Sequence, residues 1–198
     1  GRTRVAVVFS ESMKANIPQF QAGECEFIYL PIPDGEAGKS AAVLAQAWNW
    51  LGAAGFTRAD LIVGIGGGAV TDFSGYLAAS WLRGMDWIAI PTTIAGMVDA
   101  AIGGKTGINS DYGKNLIGAF HSPLAVLIDP SWLITLSDRD FAAGLAEVVK
   151  CGFISDREIL DLLAAKNLSD IRASRELTVE LIERSVAVKA RVVSGDFR

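Results

Sequence analysis

The chain has 198 residues, a formal net charge of −4 and a hydrophobic fraction of 51%. This composition supports a sizeable core and, without a basic run or a basic face, predicts no nucleic-acid partner and no membrane-surface partner. The apolar runs are too short to span a bilayer, so we expect no membrane association. Cys25 and Cys151 lie far apart in the sequence, which predicts reduced thiols and a cytoplasmic location.

The first 136 residues contain alternating strand and helix patterns. We expect helices over residues 39–55 and 69–82, and strands over residues 4–9, 24–32, 61–65, 87–91 and 125–129. The strand segments are nearly all apolar, which is typical of a parallel sheet that is covered on both faces. The predicted fold class is therefore α/β, with a Rossmann-like parallel sheet.

From Ser137 onward the sequence changes character. More than half of the charged side chains lie after Leu136, no strand pattern occurs there, and helical patterns cover about 138–153, 156–166 and 174–194. We therefore predict an α/β domain over residues 1–136 and an incomplete all-α domain over residues 137–198. The chain opens within a predicted strand and ends directly after a predicted helix, so we also expect it to be part of a longer protein.

Three consecutive glycines follow the predicted strand at residues 61–65. The segment from Gly64 to Ala69 fits the dinucleotide pattern G-x-G-x-x-A, and a helical pattern begins at once. A strand, a glycine turn and a helix N-terminus together direct backbone N–H groups at a phosphate. Glycine permits close approach there, and such turns often need a positive φ. The turn predicts a dinucleotide site, with a turn that serves packing alone as the alternative.

Further motifs follow the glycine turn in a distinctive order. They are Pro91-Thr92-Thr93, Val98-Asp99, Gly103-Gly104-Lys105-Thr106-Gly107, Gly113-Lys114-Asn115 and Gly144-Leu145-Ala146-Glu147-Val148-Val149-Lys150. With these motifs the chain resembles the 3-dehydroquinate synthase family of sugar-phosphate cyclases from about residue 4 to residue 196. The resemblance implies an N-terminal NAD-binding α/β domain and a C-terminal helical metal-binding domain.

The resemblance also implies a reaction, a lyase step of the shikimate pathway that serves aromatic amino acid biosynthesis. In this family the substrate, 3-deoxy-D-arabino-heptulosonate 7-phosphate, becomes 3-dehydroquinate and phosphate. NAD accepts a hydride from the substrate and returns it within each turnover. A divalent metal, zinc or cobalt, polarises the reacting carbinol as a Lewis acid.

The catalytic residues implied by the resemblance carry charged or amide side chains. They are Arg83, Asp99, Lys105, Lys114, Asn115, Lys150 and Lys189. Arg83 matches an arginine that reaches the substrate of the neighbouring subunit, which implies a homodimer.

Glu147 matches a metal ligand of the family, although a solvated helix glutamate is the alternative. Lys150 follows Glu147 by three residues, so we expect both side chains on one helix face. The other two metal ligands of the family are histidines further along the chain, and His121 stands at neither position. We therefore expect this length of chain on its own to bind metal poorly and to be inactive.

The NAD contacts implied by the resemblance mostly follow predicted strands, where open α/β sheets bind ligands. They are Asp34, Gly35, Glu36, Lys39, Gly67, Gly68, Ala69, Val70, Thr71, Asp72, Thr92, Thr93, Lys105, Lys114, Trp132, Leu133, Ile134 and Thr135.

Thr71, Met97 and Trp132 depart from residues that are common in the family, which leaves its sub-branch open. One alternative is a sister cyclase of the 2-deoxy-scyllo-inosose or valiolone type. Another is a metal-dependent polyol or alcohol dehydrogenase, which would release NADH. The motif Gly-Gly-Lys-Thr-Gly argues against the dehydrogenase. A third alternative is an NAD-binding module without chemistry.

Overall fold

A parallel sheet forms the centre of the α/β part of the molecule. The structure is a computed structural model and describes residues 2–195. The strands of the sheet are β1 (Arg4–Ser10), β2 (Glu26–Ile32), β3 (Leu61–Gly66), β4 (Asp86–Pro91) and β7 (Ala125–Val126). They lie in the order β2-β1-β3-β4-β7, and every neighbouring pair is parallel. The predicted α/β fold with a parallel sheet is confirmed, although β7 is shorter than predicted.

The two faces of the sheet are covered differently. Along β1, Ala6 and Val8 belong to one buried cluster and Val5 and Val7 to another, because successive side chains of a strand point to opposite faces. Helices α1 (Ala41–Ala53) and α2 (Gly68–Ser80) cover the first face, with the buried side chains Leu44, Leu51, Phe73 and Leu77. Segments that are not α-helical cover the second face, through Ile17, Phe20 and Trp132.

A hairpin that the sequence did not predict packs on α2. Its antiparallel strands are β5 (Lys105–Ser110) and β6 (Gly113–Phe120), so Lys105 and Lys114 lie in strands, although the glycines that flank them in the sequence predict loops. Gly107 faces Gly118 across the hairpin, and a Cβ on Gly107 would lie 2.7 Å from the Ile117 carbonyl oxygen. These glycines indicate close strand approach in a hairpin, where composition alone predicts a loop.

Four α-helices follow within the described residues, where three helices were predicted. They are α3 (Asp138–Ile154), α4 (Arg157–Ala164), α5 (Leu168–Ala173) and α6 (Arg175–Gly195). The unpredicted helix α5 begins at a reciprocal capping box between Asn167 and Asp170. The buried core of this part includes Phe141, Val148 and Leu181 and also takes in Met97, from the segment after β4. The domain boundary after Leu136 stays a prediction.

Two further features of the described residues bear on the sequence predictions. Over residues 2–195, no helix is both long enough and apolar enough to cross a membrane. Cys25 and Cys151 are both free thiols, as predicted, and of the two Cys151 is the buried one.

Candidate active site

The glycine turn joins β3 to α2 at the carboxyl edge of the sheet. Gly66 ends β3, Gly67 precedes the helix with φ −70° and ψ −177°, and Gly68 begins α2. None of these three glycines has a positive φ, so the expected left-handed backbone is wrong here. Close contact requires glycine instead, because a Cβ on Gly66 would lie 2.5 Å from Val70 Cγ2 and one on Gly68 would lie 3.0 Å from Ala100 Cβ.

The same turn also presents backbone N–H groups to a ligand. The first turn of a helix leaves backbone N–H groups without partners inside the helix, and they favour an anion. In α2 these groups belong to residues 68 and 69, directly after the carboxyl end of β3, because the Val70 N–H donates to the Gly67 carbonyl at 3.0 Å. The packing role of the glycines and an anion-binding role of the helix N-terminus are therefore compatible.

The loop after β2 lies beside the same edge. Gly35 has φ 58°, the left-handed region that favours glycine, and it begins a 3₁₀ turn over Gly35–Gly38. Asp34 Oδ1 accepts hydrogen bonds from Ser12 N at 3.1 Å and from Ser12 Oγ at 2.6 Å. Asp34 thus joins the loops that follow the neighbouring strands β1 and β2.

The β5–β6 hairpin is tied to this loop by a residue that sequence reasoning missed. Asn109 donates its backbone N–H to the Lys39 carbonyl at 2.8 Å and its side-chain Nδ2 to Glu36 Oε2 at 2.6 Å. The Asn109 hydrogen bond is the largest influence on the pKa of Glu36, and together with Lys39 and Lys114 it lowers that pKa. An asparagine at the end of a strand, before a turn, was the available signal.

Two predicted site residues from distant parts of the sequence, Asp72 and Asn115, meet at Lys39. The Lys39 side chain is buried, and its Nζ lies 2.7 Å from Asp72 Oδ2 and 2.5 Å from Asn115 Oδ1. Burial raises the pKa of Asp72, and the Lys39 ammonium opposes this effect. The structure therefore brings the loop after β2, the first turns of α2 and the hairpin into one polar cluster.

A cavity of about 360 Å³ borders this cluster on the hairpin side. Its lining includes the predicted site residues Lys105 and Asn115 together with the carboxylate residue Asp72. The remaining lining residues come from the same hairpin and are Thr106, Gly107, Leu116, Gly118, Ala119 and Phe120.

Asp99 is the centre of a second charged cluster, beyond the carboxyl end of β4. It lies in one π-helical turn, Gly96–Ala100. Asp99 Oδ1 lies 2.5 Å from Lys189 Nζ and 3.2 Å from Lys150 Nζ, although these lysines are far away in the sequence. Burial alone would raise the pKa of Asp99, but Lys189 and Lys150 outweigh it and hold the pKa below its ordinary value. The Asp99 carboxylate is therefore ionised at neutral pH.

Glu147 joins this cluster through Lys150, as the predicted shared helix face requires. The Glu147 carboxylate forms an ion pair with Lys150, three residues on. Burial lowers the pKa of Lys150, but Glu147 and Asp99 outweigh it and raise that pKa. Glu147 Oε2 is buried and, apart from this ion pair, has no hydrogen-bond partner.

A buried carboxylate oxygen whose partner is an ammonium group can serve as a metal ligand, but a metal site needs more donors. Among residues 2–195, no group of three or more His, Cys, Asp and Glu side chains could hold a metal ion. His121 lies elsewhere and donates from its ring Nε2 to the Met85 carbonyl at 2.8 Å. The described residues thus supply one candidate metal ligand, Glu147, and not a complete site.

Arg83 lies apart from both clusters. It precedes β4, at the amino edge of the sheet, and its side chain is exposed. Leu82, Arg83 and Gly84 have φ values of 48°, 67° and 119°, so three consecutive residues are left-handed. Within one chain, the structure therefore does not bring Arg83 together with the other predicted catalytic residues.

The remaining predicted cofactor residues have mixed surroundings. Thr92 N donates to the Gly66 carbonyl at 2.9 Å, and Thr93 Oγ1 accepts from Gly96 N at 3.1 Å, so both threonines lie beside the glycine turn. The segment from Trp132 to Thr135 belongs to a 3₁₀ helix, Pro130–Thr135. The Leu133 side chain is buried in the helical core, which removes it as a side-chain contact for a ligand.

A parallel sheet with a glycine turn and charged clusters beyond the ends of its strands defines a class of protein. It is an α/β protein whose candidate site lies at the carboxyl edge of the sheet, where open α/β sheets bind ligands. The family model described as 3-dehydroquinate synthase N-terminal matches residues 29–143, and the model described as 3-dehydroquinate synthase C-terminal matches residues 144–198. The chain belongs to the 3-dehydroquinate synthase family.

Individual relatives agree with this assignment. A 3-dehydroquinate synthase of Streptomyces avermitilis is 50% identical over 98% of this chain and 55% of its own length. One of Thermobifida fusca is 57% identical over 85% of this chain and 46% of its own length. The solved structure of ValA, a 2-epi-5-epi-valiolone synthase from Streptomyces hygroscopicus with NAD+ and Zn2+ bound, has a TM-score of 0.88 and 29% identity, over 98% of this chain and 56% of that one. The chain thus spans about half the length of the curated relatives that it matches.

Proposed function

We propose that the protein containing this chain is a 3-dehydroquinate synthase, which converts 3-deoxy-D-arabino-heptulosonate 7-phosphate to 3-dehydroquinate and phosphate. The observation that carries the proposal is the cluster in which Asp99 lies between Lys150 and Lys189. Relatives of that name are about 50% identical over nearly the whole chain, while the valiolone synthase is 29% identical, which favours this activity over a sister cyclase.

NAD would bind along the carboxyl edge of the sheet. The loop from Asp34 to Lys39, the first turn of α2, and Thr92 and Thr93 border that edge, and the backbone N–H groups at the start of α2 suit a pyrophosphate. Bound there, NAD supplies reversible hydride transfer. The ValA structure contains NAD+, which supports the same cofactor here.

The side chains of this chain would bind and orient the substrate. An ionised Asp99 can only accept hydrogen bonds, so it suits a substrate hydroxyl. The ammonium groups of Lys150 and Lys189 suit anionic substrate groups, for which they would exchange part of their contact with Asp99. Lys105 and Asn115 line the neighbouring cavity and offer further donors to the same ligand.

A divalent metal, zinc or cobalt, would supply Lewis-acid polarisation of a substrate oxygen. Glu147 is the described residue that would hold it, since its buried Oε2 is an oxygen donor that is paired with the Lys150 ammonium alone. The ValA structure contains Zn2+. One carboxylate does not complete a metal site, so further ligands are required.

We further propose a homodimer and a cytoplasmic location. The exposed Arg83, which lies on the amino edge away from the Asp99 cluster, is suited to contact the substrate of a partner subunit. The free cysteines support a reducing compartment. A boundary after Leu136, between an NAD-binding domain and a helical metal-binding domain, is part of the same proposal.

Removal of the Asp99 charge tests the proposal. In the full-length protein, Asp99→Asn should lower phosphate release from 3-deoxy-D-arabino-heptulosonate 7-phosphate by about a hundredfold or more, since two ammonium groups lose their anionic partner and a substrate hydroxyl meets a neutral amide in place of a charged acceptor. The matched control is Lys166→Met, a change of an exposed lysine, which should leave the rate unchanged. Wild-type protein that releases no phosphate from this substrate, or Asp99→Asn protein with the wild-type rate, would contradict the proposal.

A further inference from the structure

Lys39 occupies an unusual position for a lysine. Its side chain is 2% exposed, whereas the ammonium group of a lysine ordinarily stays in water. Burial of an ammonium is costly unless it is paired and hydrogen-bonded. Lys39 is both paired and hydrogen-bonded, since its Nζ lies 2.7 Å from the carboxylate oxygen Asp72 Oδ2 and 2.5 Å from the amide oxygen Asn115 Oδ1.

The chemistry of this contact determines the orientation of the Asn115 amide. An ammonium has three donors and no acceptor, so only the oxygen of the amide can face it. The Nδ2 group of Asn115, with its two donors, must therefore face away from Lys39. Asn115 lines the cavity of about 360 Å³ that it shares with Lys105.

The backbone of Asn115 is held as well. Its φ is 57°, a left-handed conformation that asparagine tolerates better than most residues, and its N–H donates to Asn109 Oδ1 at 3.0 Å. Asn109 in turn donates to the Lys39 carbonyl. The main chain of Lys39 therefore holds Asn115 through Asn109, and the side chain of Lys39 holds it directly.

We propose that Lys39 is a positioning residue that orients the Asn115 amide, with its N–H donors toward the cavity beside Lys105. Asp72 holds the Lys39 ammonium in place and neutralises its charge. The inference rests on the proposed function, in which Asn115 contacts the substrate. The contact of Lys39 with NAD that the sequence predicts is a separate role, which would use the third N–H donor of the ammonium.

A double-mutant cycle in the full-length protein separates these two roles. We would measure kcat/KM for the sugar phosphate and the Kd for NAD in Lys39→Met, Asn115→Ala and the double variant. If Lys39 acts through Asn115, each single change should lower kcat/KM by about tenfold or more, and the double variant should be no worse than the poorer single variant. The Kd for NAD should stay within about threefold of the wild-type value.

Two results would overturn the proposal. One is a double variant whose loss in kcat/KM equals the product of the single losses, because independent residues are additive in free energy. The other is a Lys39→Met protein that binds NAD at least about tenfold more weakly while Asn115→Ala binds it normally. If Lys39→Met does not fold, a variant with both Lys39→Met and Asp72→Asn takes its place in the cycle. The second change removes the Asp72 charge, so no buried carboxylate is left without a partner.

A stability cycle keeps this test independent of the reaction. Urea midpoints of the same four proteins should be non-additive if Lys39 and Asn115 contact each other, and additive midpoints would contradict the contact. Wild-type protein that releases no phosphate would count against the proposed function, whereas the urea midpoints still decide whether Lys39 holds Asn115.

Discussion

At the scale of single residues, the ionisation of Asp99 links the active-site cluster to stability. Lys189 and Lys150 hold the pKa of this carboxyl below its ordinary value, despite its burial. A carboxyl whose pKa is lower in the folded state contributes stability above its unfolded pKa, and this contribution is lost as the pH falls through the folded pKa. The stability that Asp99 contributes should therefore be present at neutral pH and disappear in acid.

Asp99→Asn should reveal this contribution as a pH-dependent difference in Tm. We expect the Tm of wild-type protein to exceed that of the variant most at neutral pH, with the difference shrinking as the pH falls below the ordinary range for an aspartate. Thermal unfolding at a series of pH values measures it, with Asp111→Asn in the exposed β5–β6 turn as control. A difference that grows in acid would show that the lysines do not stabilise the ionised form.

Some residue contacts could be predicted from the sequence and others could not. The ion pair between Glu147 and Lys150 follows from helix geometry, because residues three apart share a face. The contacts of Asp99 with Lys150 and Lys189 join residues that are distant in sequence, so only the resemblance placed them in one site. The contact of Lys39 with Asn115 was missed, because both residues were assigned to separate ligand groups.

At the scale of elements, glycines occur both in a hairpin and in a strand–helix turn, and the sequence does not distinguish these two roles. In the β5–β6 hairpin, Gly107 and Gly118 face each other and let the strands approach, yet glycine lowers strand propensity and so indicated loops. In the β3–α2 turn, strand, glycines and helix were predicted correctly from hydrophobic periodicity. The physical reason for those glycines is contact with Val70 and Ala100 and not a left-handed backbone.

Gly66→Ala should therefore destabilise the protein and weaken NAD binding. The new Cβ would lie 2.5 Å from Val70 Cγ2, so β3 or the first turn of α2 must move, at a cost of about 1–3 kcal/mol. Urea unfolding and NAD titration of the full-length protein measure both effects.

Gly52→Ala is the matched control for this change. Gly52 lies within α1, and a Cβ there would meet Trp81 Cη2 at an ordinary 3.4 Å. This variant should be as stable as wild type or more stable by about 0.5–1 kcal/mol, since alanine favours a helix. Equal stability of Gly66→Ala and wild type would contradict the packing explanation.

At the scale of the whole molecule, Arg83 lies apart from the other predicted catalytic residues. Three consecutive left-handed residues, from Leu82 to Gly84, place Arg83 at the amino edge of the sheet, while Asp99 lies beyond the carboxyl edge. A homodimer in which Arg83 of one subunit completes the site of the other would reconcile these positions.

Mixed dimers test this arrangement. Full-length Arg83→Ala and Asp99→Asn proteins should each have little activity, but random mixing of their subunits should restore about a quarter of the wild-type rate. The reason is that each mixed dimer would contain one site with both native residues. Mixed samples that stay inactive, after mass spectrometry has established subunit exchange, would place Arg83 in its own subunit's site or outside the reaction.

The central claim is that the protein recycles its NAD while it eliminates phosphate. The most direct measurement follows phosphate release and NADH absorbance together, in full-length protein with 3-deoxy-D-arabino-heptulosonate 7-phosphate, zinc and substoichiometric NAD. If the protein recycles its NAD, phosphate should form in many-fold excess over NAD, and no lasting NADH should be seen. Accumulation of NADH without phosphate would contradict it and would indicate a dehydrogenase on the same fold.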